Sequence, residues 1–188
     1  MSAGEPFLPY GRQSIEADDI ARVAEVLQAD YLTTGPLIAR FEEAFATAVG
    51  ARHAVVSNSG TAALHLATHA AGLGPGDVAI VPSVTFLATA NAVRYVGAEV
   101  VFADVDPENG LLTAGAAEEA LARAGALGRP RAILPVHLNG HSVDMVAIRA
   151  LAERQGLAVI EDACHAIGGT HPAGNGAIAA VGACAASD

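Results

Sequence analysis

Lysine is missing from all 188 residues, and the ten side chains that are cationic at neutral pH are all arginines. No lysine amine of this chain can therefore act as a nucleophile. Most simply, arginine in place of lysine is a compositional habit of the source genome. Cationic charge is also scarce overall: 20 Asp and Glu against ten Arg leave a net charge of −10. That balance argues against a nucleic-acid surface, which carries clustered basic residues. Cysteine is nearly absent. Cys164 and Cys184 are too few for a disulfide scaffold in a chain this size, and both are expected as small buried hydrophobes. No apolar run approaches the ~20 residues of a membrane helix, and no basic start leads into an apolar stretch. The expected location is the cytoplasm.

What is present is apolar: 52% of the residues are hydrophobic. That content fits a well-filled core rather than disorder, and the length suits one compact domain. Residues 15–28 read as a helix opened by Ser14, with Glu16, Asp18 and Asp19 near the positive end of its dipole. Gly35-Pro36 breaks the chain and places Pro36 first in a second helix running to Gly50. From there strand and helix alternate. Apolar runs fall at 53–57, 78–81, 100–103, 131–136 and 157–160, with helical stretches near 61–71, 86–96, 114–124 and 143–155 between them. Five such runs imply a mostly parallel α/β sheet with helices on both faces. The segment 122–130 is the expected tolerant loop. Gly72-Leu73-Gly74-Pro75-Gly76-Asp77 follows a helix and precedes a strand, so it reads as a turn and not as a nucleotide loop.

In such sheets ligands bind outside the carboxyl ends of the strands. After the apolar runs come Asn58-Ser59-Gly60-Thr61, Pro82-Ser83-Val84-Thr85-Phe86, Asp104-Val105-Asp106, His137-Leu138-Asn139-Gly140-His141 and Glu161-Asp162-Ala163-Cys164-His165. Ser59-Gly60-Thr61-Ala62 opens a helix and is either a phosphate cradle or an ordinary cap. Phe86 either stacks on a planar ring or joins the core. Asp162 either faces a pyridine nitrogen, keeping it protonated, or caps a strand end. A rival reading takes His137, His141, Asp162, His165 and His171 as metal ligands of a hydrolase. Its weakness is that His137 and His141 enclose Leu-Asn-Gly, a poor helix, with no catalytic Glu between them. His65 and His69 sit at helical spacing, as on one half-buried face.

Taken together, the motifs resemble the DegT/DnrJ/EryC1/StrS family of pyridoxal-phosphate sugar aminotransferases, from Leu8 to Asp188. The resemblance rests on Ser57-Asn58-Ser59-Gly60-Thr61-Ala62-Ala63-Leu64-His65, Pro82-Ser83-Val84-Thr85-Phe86-Leu87-Ala88-Thr89-Ala90-Asn91, Pro135-Val136-His137 and Ile160-Glu161-Asp162-Ala163-Cys164-His165-Ala166, in the family's order. Leu8-Pro9-Tyr10-Gly11-Arg12-Gln13-Ser14-Ile15 and Tyr31-Leu32-Thr33-Thr34-Gly35-Pro36 resemble the branch that aminates a UDP-linked 4-keto-6-deoxy-N-acetylhexosamine on the way to pseudaminic acid.

The resemblance implies the large domain of an aspartate-aminotransferase-like, type I fold. Residues 1–35 would form an N-terminal arm and helix, and residues 36–188 a cofactor domain without its C-terminal end or the small domain. The implied cofactor is pyridoxal 5'-phosphate. Thr61 and Ala62 would offer backbone N–H groups to its phosphate, Phe86 would cover the ring, Asp162 would pair with the ring nitrogen and His165 would lie near the ring hydroxyl. Thr34, His137 and Asn139 would line the sugar side. The implied partners are a nucleotide-sugar substrate, an amino-acid donor, expected to be glutamate, and a second subunit in a homodimer. Neither a nucleic acid nor a membrane is expected as a partner. The Schiff-base lysine is expected beyond Asp188, so no catalytic residue is assigned within the chain. Alternatives are a sugar 3-dehydratase of the same family, with histidine in place of that lysine, and a non-catalytic folding or dimerisation module.

Overall fold

The structure is a computed structural model that describes residues 13–174 and 176–184. The expectation for Leu8 to Arg12 lies outside the described residues. The chain divides into two compact units, Met1–Ala39 and Arg40–Asp188. In the first, α1 (Ala17–Leu27) carries Ile20, Val23 and Leu27 at helical spacing, all exposed. It starts later than the sequence suggests because Glu16, not Ser14, is its N-cap. The Glu16 N–H donates to the Asp19 carboxylate at 2.9 Å, a reciprocal partner that Ser14 lacks. Helix α2 (Pro36–Val49) begins at the expected proline and crosses the boundary between the units.

The second unit continues with α3 (Gly60–Ala70), β1 (Asp77–Pro82), α4 (Leu87–Tyr95), β2 (Glu99–Ala103), α5 (Ala114–Ala124), β3 (Arg129–Ile133), α6 (Met145–Gln155) and β4 (Ala158–Val159). The four strands form one sheet in the order β2-β1-β3-β4, and every neighbouring pair is parallel. Alternation along the strands sorts the core into two layers. Val78, Ile80, Ile133 and Val159 pack with Ala117, Ala120, Ile148 and Leu151 of α5 and α6. Ala79, Val81, Ala132 and Leu134 face the other way, onto Ala90 and Val93 of α4 and the end of α3. Both faces are thus covered, which is why these strands read as continuous apolar runs. Thr68 ties the helices of the second layer together, its buried hydroxyl donating to Ala92 O at 3.1 Å.

Three expectations are corrected. Residues 53–57 form no strand: Val55 is 81% exposed, and the Val56 N–H donates to the Glu42 carboxylate at 2.9 Å rather than to a neighbouring strand. A strand needs a ladder partner, and none lies beside this segment among the described residues. The 122–130 loop is shorter, from Gly125 to Gly128, because α5 runs to Ala124 and β3 starts at Arg129. It is less tolerant than expected, since a Cβ on Gly128 would lie 2.5 Å from Gly76 O. The third is an omission: a hairpin, β5 (Thr170–Gly174) and β6 (Ala177–Ala180), follows the sheet in a segment for which no strand was expected.

Candidate active site

Beyond their last regular residues β3 and β4 continue as a single bridge, Val136 opposite Asp162. Asp162 N–H donates to Pro135 O at 2.9 Å, and His137 N–H donates to Asp162 O at 3.0 Å. This extension carries the acidic pair out to the carboxyl edge of the sheet. Adjacent strand residues point to opposite faces, so Glu161 and Asp162 part company there. Asp162 faces a cavity of about 220 Å³ lined by Gly60, Thr61, Phe86, His137, Cys164 and His165, among others. That is below the ~300–1,000 Å³ of pockets for drug-sized ligands, and suits one phosphorylated ring better than a dinucleotide.

The Asp162 carboxylate is 5% exposed and held at both oxygens. Thr89 Oγ1 donates to Oδ2 at 2.6 Å, and the Cys164 N–H donates to Oδ1 at 3.3 Å. The first distance lies in the charge-assisted range. The Cys164 thiol is pushed up to about 11, first by loss of water and then by hydrogen bonding to Asp162 and its charge. It therefore stays protonated. A buried carboxylate turned into a cavity in this way can accept a proton-bearing ring nitrogen.

Helix α3 supplies donors to the same cavity. Ser59 caps the helix by accepting from the Ala62 N–H at 3.1 Å. The N–H groups of Gly60 and Thr61, one turn too early for any intrahelical acceptor, have no acceptor among the described residues. Of the expected donors, Thr61 thus has a free N–H and Ala62 has its N–H on Ser59, while Gly60 offers a second free one. Gly60 has no room for a side chain, since a Cβ there would lie 2.8 Å from Cys164 Sγ. Phe86 also lines the cavity, 72% exposed at the start of α4 and so not a core residue. Free N–H donors, an exposed aromatic face and a buried carboxylate around one small cavity fit the phosphate, ring and ring nitrogen of pyridoxal phosphate.

Of the remaining expected residues, His165 lines the cavity. His137 lines it too, but its imidazole is 0% exposed and both ring nitrogens are engaged. Nδ1 accepts from the Val143 N–H at 3.1 Å, so Nε2 carries the proton and donates to Glu161 at 2.9 Å. Nothing on that ring is left to bind a sugar. Asn139 is exposed and left-handed (φ 53°) in a 3₁₀ turn at the rim. Thr34, also left-handed (φ 52°), belongs to the first unit.

The metal-hydrolase set does not assemble: among the described residues no three His, Cys, Asp or Glu side chains come together as a metal group. Both cysteines are exposed, against the expectation of burial, because each lies in a loop past a strand end rather than on a packed face. His65 and His69 are exposed as well, with His65 against Tyr95. Among the described residues no helix is long and apolar enough to cross a membrane. Thr85, Thr89 and Cys164 were not singled out by the sequence. The signal that points to the two threonines is their one-turn spacing around Phe86 at a strand-to-helix junction.

Comparison with known proteins agrees with this geometry. The model of the DegT/DnrJ/EryC1/StrS aminotransferase family matches residues 13–186. The spore coat polysaccharide biosynthesis protein SpsC of Bacillus subtilis is 46% identical over 161 residues, which is 86% of this chain and 40% of SpsC. DesV of S. venezuelae superposes with a TM-score of 0.73 at 41% identity, over 80% of this chain and 40% of DesV. A putative sugar aminotransferase of Streptococcus pneumoniae, solved in its PMP form, superposes at 0.79 with 26% identity, over 92% of this chain and 46% of that one. The chain thus spans about 40% of the length of the first two relatives. The fold is that of the aspartate-aminotransferase-like enzymes, and the Streptococcus pneumoniae aminotransferase has been solved in both PMP and PLP forms. With the match running through the cradle, the ring face and the carboxylate alike, the chain belongs to the DegT/DnrJ/EryC1/StrS aminotransferase family.

Proposed function

We propose that the cavity binds pyridoxal 5'-phosphate and its amine form. We propose further that the complete protein transfers an amino group from glutamate to a nucleotide-linked keto-deoxy-sugar, in the cytoplasm, for surface glycan synthesis. The observation that carries this is the buried Asp162 carboxylate, turned into a cavity that Gly60 and Thr61, with their free N–H groups, also line. When bound, the cofactor supplies a protonated, electron-withdrawing ring next to the carbon that gains or loses nitrogen. Asp162 holds the proton on the ring nitrogen, Gly60 and Thr61 anchor the phosphate, Phe86 sets the height of the ring and His165 meets its hydroxyl. His137 acts from behind: through Val143 it fixes the loop that presents Asn139 to the sugar. The name of SpsC supports a polysaccharide product, and the segment from Leu8 to Pro36 supports a UDP-linked 4-keto-6-deoxy-N-acetylhexosamine as substrate. The complete protein is proposed as a homodimer.

Because the chain has no lysine, its own contribution to cofactor binding is noncovalent. Pyridoxamine 5'-phosphate is therefore the direct probe, since its retention needs no covalent link. Calorimetric titration is expected to show one site per chain, and pyridoxamine without its phosphate is expected to bind far more weakly. A folded protein that gives no heat with about 1 mM of the phosphorylated amine, a bound-state free energy weaker than about −4 kcal/mol, refutes the reading.

A further inference from the structure

Thr89 is not among the residues lining the cavity, is 0% exposed, and sits 73 residues from the carboxylate it touches. Its hydroxyl has three neighbours: Asp162 Oδ2 at 2.6 Å, Thr85 Oγ1 at 2.7 Å and Phe86 O at 3.2 Å. A hydroxyl has a single proton. Two of these neighbours can only accept, and the carboxylate is both the closer and the charged one, so the proton goes to Asp162. Thr85 must then be the donor in the remaining contact. The direction of the chain is fixed: Thr85 donates to Thr89, and Thr89 donates to Asp162.

We propose that Thr89 is a positioning residue that keeps the Asp162 carboxylate turned into the cavity, with Thr85 keeping Thr89 in its donor orientation. The proposal rests on the cofactor reading above and deepens it. The first turn of α4 then does two jobs at once. Phe86, at its N-cap, faces the flat ligand, and Thr89, one turn later, holds the group that meets the ligand's ring nitrogen. Ring face and ring nitrogen partner are thereby set by one rigid element, though the carboxylate itself is carried on the β4 extension. Losing the hydroxyl leaves Oδ2 in a buried place without its donor, and the side chain turns toward water instead.

The test uses the protein with pyridoxamine 5'-phosphate as ligand, comparing Thr89→Val, which is close in shape but lacks the hydroxyl, with Thr89→Ser, which keeps it. Three quantities are read: affinity, the pH at which the bound cofactor loses its ring proton, followed by ultraviolet absorbance, and the melting temperature. Thr89→Val is expected to bind about tenfold more weakly, as fits loss of one hydrogen bond to a charged group. It is also expected to lower the pH of ring-proton loss. Thr89→Ser is expected to stay within about threefold of wild type on the same scale. Thr85→Ala, at the cavity edge, should move affinity and pH in the same direction by less, and serves if Thr89→Val does not fold. An unchanged or raised pH of proton loss in Thr89→Val overturns the proposal, as does a serine variant that loses as much as valine. If wild type binds the ligand and neither threonine variant moves affinity or pH, the proposal fails and the cofactor reading stands. If wild type does not bind it, the cofactor reading fails and takes this proposal with it.

Discussion

Gly60 offers a test in which the sign of a substitution should reverse with its background. At the first position of α3 the glycine is not needed for backbone reasons, and alanine there should raise helix stability by about 0.5–1 kcal/mol. Its Cβ, however, would stand 2.8 Å from Cys164 Sγ, well inside ordinary contact. The sulfur can escape by rotating about χ1, but only by leaving Asp162 and the position against which the Gly60 backbone packs. Overpacking of this kind costs about 1–3 kcal/mol, so Gly60→Ala alone should lose about 1–2 kcal/mol net. Cys164→Ala removes the obstacle. In that background the same Gly60→Ala change should become neutral or stabilising, a coupling of about 1–2 kcal/mol. Urea unfolding of the four proteins of the cycle measures it directly. Equal destabilisation in both backgrounds would show that glycine is required for something other than the sulfur, with ligand approach to the Gly60 N–H the first alternative to examine.

Two further outcomes follow from the same carboxylate. In the complete enzyme Asp162→Asn keeps the shape and removes the charge, and should cost about 2–4 kcal/mol of barrier, roughly 30- to 1000-fold in turnover, with cofactor binding weakened less; activity within a factor of two of wild type means the wrong group has been assigned, and Glu161 cannot stand in because its carboxylate is on His137. The Cys164 thiol, exposed yet pushed up to about 11, should react with iodoacetamide at pH 8 roughly 100-fold more slowly than in the denatured chain, because far less of it is thiolate at that pH than of an ordinary cysteine. Its rate should rise steeply as pH climbs toward 11, and a rate equal to that of the denatured chain would show that neither burial nor Asp162 acts on it.

The layered fold is legible in the sequence because both faces of the sheet are covered. A strand buried on two sides must be apolar at every position, so 78–81 stands out as an unbroken run, whereas 100–103, on the edge strand β2, is apolar although Phe102 stays 53% exposed. The helix expected over 114–124 is found as Ala114–Ala124, with Thr113 accepting from the Ala116 N–H at 3.1 Å. Residues 53–57 mislead for the same reason. Apolar content marks what a segment can bury, whereas a strand also requires a neighbour, and the sequence of the segment says nothing about whether that neighbour is there. Cys164 and Cys184 mislead in the opposite way: the tendency of free cysteine to be buried is an average over packed faces, and these two lie in loops.

The site is legible only to the point where two adjacent carboxylates must be told apart. Period-two alternation says that Glu161 and Asp162 face opposite ways, but not which of them faces the ligand; that depends on the pairing of Asp162 with Val136, a register set between strands and invisible within either one. Once the register is fixed, the rest is forced. Glu161 goes inward to the Nε2 proton of His137, whose Nδ1 is already committed to Val143, and Asp162 goes outward to whatever donor stands opposite. That donor is Thr89, contributed by a helix 73 residues earlier. A carboxylate with a buried hydroxyl on one oxygen and a backbone N–H on the other has little rotational freedom left, so any ligand donor that pairs with it must come to it. The preorganisation of this site therefore resides less in the motif that names the acid than in the turn of α4 that holds it.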